Sequence, residues 1–156
     1  MEIKENSLAL VAEIQLSYHP KVKPSQRPAV TNSREVYQLF FDNWDANRIE
    51  LQEQFKVMLL NRSSRVLGIV DISTGGIAGT LADPKLIFVT ALKAGASSII
   101  LAHNHPSGQL TPSQADRSLT RKLTEGGKIL EISVFDHVIL TADSYFSFAD
   151  EGIMEH

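Results

Sequence analysis

The chain has 156 residues, 43% of them hydrophobic and 21% charged, the composition of one ordinary globular domain. Its formal net charge of −3 argues against tight, non-specific nucleic-acid binding, although Lys21, Lys23 and Arg27 cluster locally. It has no cysteine, so disulfides and thiolate-held zinc are excluded, and any metal must be held by His, Asp or Glu.

No apolar run approaches the roughly 20 residues that a membrane span needs, and the N-terminus carries no signal-peptide pattern. The cytoplasm is therefore the expected compartment, and the Asn61-Arg62-Ser63 sequon is read as accidental. Residues Ser7 to Tyr18 alternate partly and are rich in Val, Ile and Leu, which predicts a strand. The stretch from His19 to Pro28 holds Pro20, Pro24 and Pro28 and reads as an extended, exposed arm. Asn32 or Ser33 then caps a helix with Val36, Leu39, Phe40 and Trp44 on its apolar side.

From Glu53 onward a strand is expected, with Phe55, Val57 and Leu59 on one face and Gln54, Lys56 and Met58 on the other. Arg62 to Arg65 forms a turn, and Val66 to Ile72 returns as a second strand. Gly75-Gly76-Ile77-Ala78-Gly79 marks a turn or bulge before a short strand; it lacks the Lys-Ser/Thr ending of a phosphate-binding loop. Asp83 caps a helix that has Pro84 at its first position and is stopped by Gly95. A buried strand follows over Ser97 to Ala102.

Thr111-Pro112-Ser113-Gln114 has the pattern of a capping box with Thr111 as N-cap, and that helix is expected to end at Gly126-Gly127. Two or three final strands, over Ile129–Phe135, His137–Thr141 and Tyr145–Phe148, complete a mixed α/β fold, a predominantly antiparallel sheet flanked by helices. Two units are read: an N-terminal extension over 1–48 (strand, Pro-rich arm, helix) and a domain over 49–156.

The chemistry concentrates between Leu101 and Asp116. His103 and His105 are spaced i, i+2 at a strand exit, so both imidazoles point to one side. Ser113 and Asp116 are spaced i, i+3 at a helix start and share a face. Two His and one Asp make a three-ligand zinc set with a fourth position open for water. The alternative is a polar loop whose histidines satisfy backbone groups. His103-Asn104-His105 is not the nuclease motif of that name, whose residues lie far apart on a ββα unit. Deaminase chemistry is excluded as well, because it needs a Pro-Cys-x-x-Cys segment. His19 and His156 receive no role.

His103-x-His105-Pro106, six residues, Ser113-x-x-Asp116 resembles the JAMM motif of the JAB/MPN metalloprotease superfamily. The flanking segments Ala102 to Gly108, Thr111-Pro112-Ser113, Ala115-Asp116-Arg117, Asp136-His137 and Phe146 to Ala149 resemble its RadC branch, named as DNA repair proteins. The resemblance runs from about Glu53 to Met154 and implies a JAB/MPN-like, cytidine-deaminase-like sandwich. It further implies Zn²⁺ on His103, His105 and Asp116, Glu53 as general base with Glu50 as its rival, and Ser113 as the oxyanion donor. The activity implied is hydrolysis of an amide or isopeptide bond in a peptide or isopeptide substrate.

One departure is large: the helix-hairpin-helix region usual in RadC proteins has no counterpart in residues 1–52, so direct nucleic-acid binding is not favoured. The rival readings are a partner-binding module without chemistry and a DNA-repair accessory. Each ligating histidine needs an outer partner; Asp136, His137 and backbone carbonyls are all open. The first strand and the Pro-rich arm are consistent with a homo-oligomer.

Overall fold

Strand β1 (Gln54–Leu60) is buried along its whole length, and the rest of the fold is built on its two sides. The computed structural model describes residues 11–75 and 82–155. Strand β2 is Val66–Thr74, β3 Ser98–Asn104, β4 Ser133–Leu140 and β5 Tyr145–Ser147; helix α1 is Ser33–Asp42, α2 Pro84–Ala94 and α3 Gln114–Leu130. The sheet order is β2-β1-β3-β4-β5, with only the β3–β4 pair parallel. This is the mixed, mostly antiparallel sheet with packed helices expected of a JAB/MPN-like fold. Among the described residues no helix is long and apolar enough to cross a membrane.

The period-2 pattern of β1 sends its residues into two separate cores. Phe55, Val57 and Leu59 pack with Ile99, Leu101, Ile87 and Leu123, under α2 and α3. Met58 and Leu60 pack with Ile100, Val138, Val36 and Phe40, under α1. Helix α1, which the sequence reading assigns to the extension, thus supplies one side of the sheet's core. Lys56, also on that side, is buried with its Nζ 2.7 Å from Asp71 and 5.0 Å from the centre of the Trp44 ring.

Local chemistry sets the helix ends. Asn32 caps α1 by accepting from Glu35 N at 2.9 Å. Asp83 caps α2 by accepting from Lys85 N at 2.9 Å, and Gly95 ends that helix at φ 66°.

Four expectations are corrected. Of the predicted first strand, Ser7 to Leu10 lie outside the described residues. Val11 to Tyr18 form no strand, since no sheet edge pairs with them, and Ile14 is 90% exposed. The N-cap of α3 is Ser113, not Thr111, because Ser113 Oγ accepts from Asp116 N at 3.0 Å while the Asp116 carboxylate accepts from Ser113 N at 2.8 Å. Helix α3 runs through Gly126-Gly127 to Leu130; a Cβ on Gly127 would sit 2.2 Å from the Ile132 carbonyl oxygen, so this glycine serves close packing and does not stop the helix. The two strands predicted either side of Asp136 are one strand, β4, with a bulge in its pairing to β3 that takes up Phe135. The predicted short strand after Gly75 falls largely on 76–81, outside the described residues.

Candidate metal centre

The sheet register brings the site together. Phe55 pairs with His103 across β1 and β3, and extending that register by two residues sets Glu53 opposite His105. The N-terminus of α3 delivers Ser113 and Asp116 to the same end of β3. Among the described residues Glu53, His103 and His105 bring one donor atom each to within 4.8 Å of the others. His103 Nε2 lies 3.0 Å from His105 Nε2 and 3.6 Å from Glu53 Oε1. Asp116 falls outside that mutual set, but its Oδ2 is 3.4 Å from His103 Nε2 and 3.7 Å from His105 Nε2. Glu50 is exposed on the turn that precedes Glu53.

The donor chemistry fits a metal. A tetrahedral zinc with bonds of about 2.0–2.1 Å has ligand atoms roughly 3.3 Å apart. The separations among His103, His105 and Asp116, 3.0, 3.4 and 3.7 Å, lie on both sides of that figure. Each histidine turns its other nitrogen away from the cluster: His105 Nδ1 to the Gln109 carbonyl at 2.6 Å, and His103 Nδ1 to His137 Nε2 at 2.7 Å. The outer partners left open in the sequence are therefore a carbonyl for His105 and His137 for His103. Asp136 instead faces away, accepting from Ser147 Oγ, Ala149 N and its neighbour's backbone.

The two carboxyls are pushed apart. Burial lifts Glu53 above its ordinary value, and the Asp116 charge adds to the rise against the pull of His103 and His105. Burial would lift Asp116 too, but His103, His105 and the Ser113 N–H outweigh it and hold this carboxyl far below the usual carboxylate range. His105 is drawn down by burial, yet its hydrogen bonds to Asp116 and Gln109 and the charges of Asp116 and Glu53 carry it above its ordinary value. Asp116 thus stays ionised as a ligand must, while Glu53 is the carboxyl suited to holding a proton. Ser113 Oγ spends one lone pair on Asp116 N and keeps its hydrogen to donate.

Two contributors were not singled out as site residues in the sequence. Asn104 between the histidines is fully buried, and its side chain bonds Ile49 O, Gln52 O and Gln54 N on either side of Glu53. Thr120 sits behind His137, with Oγ1 2.6 Å from its Nδ1. The only signal for either was an uncharged polar residue in an otherwise apolar phase. A cavity of about 560 Å³ lies elsewhere, lined by Val30, Val36, Ile100 and Asp136 among others and by none of the five candidate residues.

Residues 30–153 match the model of the RadC-like JAB domain. A UPF0758 protein of Flavobacterium johnsoniae is 50% identical over 101 residues, which is 65% of this chain and 44% of that protein. One from Porphyromonas gingivalis is 37% identical over 153 residues, 95% of this chain and 65% of that protein. UPF0758 protein STH371 of Symbiobacterium thermophilum is 34% identical over 145 residues, 93% of this chain and 61% of that protein. The chain spans less than two thirds of the length of each of these relatives, and their names state no activity. The match takes in all five strands and every residue of the His-x-His and Ser-x-x-Asp cluster, and on that ground the chain belongs to the RadC-like JAB domain family.

Proposed function

We propose that this domain is a zinc-dependent hydrolase of amide or isopeptide bonds, acting on a peptide or isopeptide substrate. The single observation that supports it most is the convergence of His103 Nε2, His105 Nε2 and Asp116 Oδ2 beside Glu53, each histidine having its other nitrogen occupied. Zinc on these three ligands supplies Lewis-acid activation of water and of the scissile carbonyl.

The protein's own groups do the rest. Glu53, raised by burial, takes the proton of the attacking water and passes it to the leaving amine. The Ser113 hydroxyl donates to the developing oxyanion, and the N-terminus of α3 adds a favourable dipole there. The acidic balance of the chain favours a peptide over a nucleic acid as the polymer bound.

The test has two parts. Metal content is measured by mass spectrometry on protein purified without added zinc, and cleavage is followed on a panel of peptide and isopeptide substrates. Glu53→Gln is expected to keep its zinc and lose cleavage, and His105→Ala to lose both. Absence of zinc from the parent, or a Glu53→Gln protein that cleaves as fast as the parent, overturns the reading.

A further inference from the structure

We infer that Thr120 and His137 are positioning residues that fix the tautomer of His103, keeping its proton on Nδ1 and its lone pair on Nε2, toward the candidate metal. The inference rests on the metal-site reading above but concerns residues behind it.

The proton order follows from one hydroxyl. Thr120 Oγ1 has a single hydrogen and lies 2.7 Å from the Asp116 carbonyl oxygen, which can only accept. With that hydrogen committed, Oγ1 can only accept from His137 Nδ1 at 2.6 Å, so His137 carries its proton on Nδ1. His137 is completely buried, stacked on Phe148 with ring centres 4.6 Å apart and met edge-on by Phe55 at 5.7 Å. Neither of its nitrogens bonds a carboxylate, and a second proton would place an uncompensated cation between two aromatic rings.

His137 Nε2 is therefore bare, and it accepts from His103 Nδ1 at 2.7 Å. In the neutral ring that leaves the lone pair of His103 on Nε2. His105 is oriented the same way independently, its Nδ1 donating to the Gln109 carbonyl. With both rings neutral, their Nε2 lone pairs meet at 3.0 Å beside the Asp116 carboxylate and repel one another unless a metal ion or a proton stands among them.

The relay also joins two ligands from behind. Thr120 anchors to the backbone of Asp116, and His137 anchors to His103, so the two ligands are held in register through the interior. Phe55 lies parallel to His103, with ring centres 6.0 Å apart.

The experiment compares the parent with Thr120→Val, which keeps the shape and removes the hydroxyl, and Thr120→Ser, which restores the hydroxyl. Imidazole tautomers are read by ¹⁵N NMR in chelator-treated and zinc-loaded protein, and zinc affinity by competition with a chromophoric chelator. In the parent, His137 and His103 are expected to show the Nδ1–H tautomer in both states. Thr120→Val is expected to mix the tautomers and weaken zinc about tenfold or more, and Thr120→Ser to recover both. If Thr120→Val fails to fold, Thr120→Ala takes its place.

Unchanged tautomers in Thr120→Val, or zinc affinity within twofold of the parent, overturns the relay. A parent that shows the expected tautomers and binds no zinc upholds the relay and overturns the metal reading instead.

Discussion

Asn104 Oδ1 accepts a 2.7 Å hydrogen bond from Gln54 N, while its Nδ2 donates to Ile49 O and Gln52 O at 2.7 and 3.0 Å. The residue between the two histidines thus grips the backbone on either side of Glu53, and one short stretch at the end of β3 sets both the candidate histidine ligands and the proposed base. Asn104→Ala strands three backbone groups in the interior, each worth about 1–3 kcal/mol when left unpaired. The variant is expected to lose at least ~3 kcal/mol in urea unfolding. It should also retain zinc, whose ligands are held from β3 and α3, while hydrolysis falls with the loosened Glu53. Asn104→Asp should do no better, because its carboxylate would face two carbonyl oxygens. Loss of zinc in Asn104→Ala would show that the clamp supports the ligands and not the base.

The glycine pair in α3 separates two meanings of glycine. A Cβ on Gly127 would meet the Ile132 carbonyl oxygen at 2.2 Å, and backbone there cannot yield without moving β4. A Cβ on Gly126 would meet only the edge of the Phe88 ring, at 3.0 Å, and a side chain can turn aside. Gly127→Ala is expected to destabilise by about 3 kcal/mol, the upper end of the usual scale of core overpacking. Gly126→Ala gains up to about 1 kcal/mol of helix propensity against a small rearrangement of Phe88, and should fall within roughly 1 kcal/mol of the parent. Thermal unfolding of the two variants decides it, and equal effects would refute the packing argument.

Much of this architecture was legible because its causes are local. Asp83-Pro84 and Gly95 bound α2 by cap chemistry alone, and the phases of Phe55, Val57 and Leu59 gave the face of β1. The pairing of His103 with His105 follows from the strand period, that of Ser113 with Asp116 comes from the capping box, and the fold brings His103, His105 and Asp116 to one place. The misreadings have distant causes. Asp136-His137 looks like a break in a strand because its polar groups are satisfied by Ser147 and Thr120, which the sequence keeps apart from it. Thr111 and Ser113 both head a capping pattern, and only the reciprocal bond with Asp116 chooses between them. Val11 to Tyr18 has the alternation of a strand and lacks a neighbour to pair with.

Burial holds the His137 imidazole well below its ordinary value of 6.5. The sign is then fixed. Below about pH 6.5 the unfolded chain takes up a proton on this residue that the native protein refuses, so stability falls as the pH drops from there, by up to about 1.4 kcal/mol per pH unit. His105 is raised and acts in the opposite sense: its contribution is present at low pH and lost as pH rises through its native value. Comparing the parent with His137→Asn takes out most of the His105 contribution, which both proteins carry. In chelator-treated protein the urea stability of the parent, relative to this variant, should decline between pH 6.5 and 5. A constant difference over that range would mean that the native His137 accepts the proton.

Asp116 and Ser113 form the helix cap and, in the proposed reading, also serve the site, and two substitutions pull the roles apart. In Asp116→Asn the side-chain oxygen can still accept from Ser113 N, so the cap survives while the ligand charge is gone. In Ser113→Ala the cap loses the acceptor for Asp116 N, at about 1 kcal/mol, while the ligand remains. Zinc at a hundredfold excess over its dissociation constant should stabilise the parent by about 2.7 kcal/mol. Asp116→Asn is expected to lose most of that zinc-dependent gain. Ser113→Ala should start lower, keep the gain in full, and lose hydrolysis by on the order of 10²–10³-fold, the effect of removing one oxyanion donor. If Ser113→Ala instead loses the zinc-dependent gain, its hydroxyl matters through the placement of Asp116. If it loses neither the gain nor the hydrolysis, Ser113 is a helix cap and nothing more.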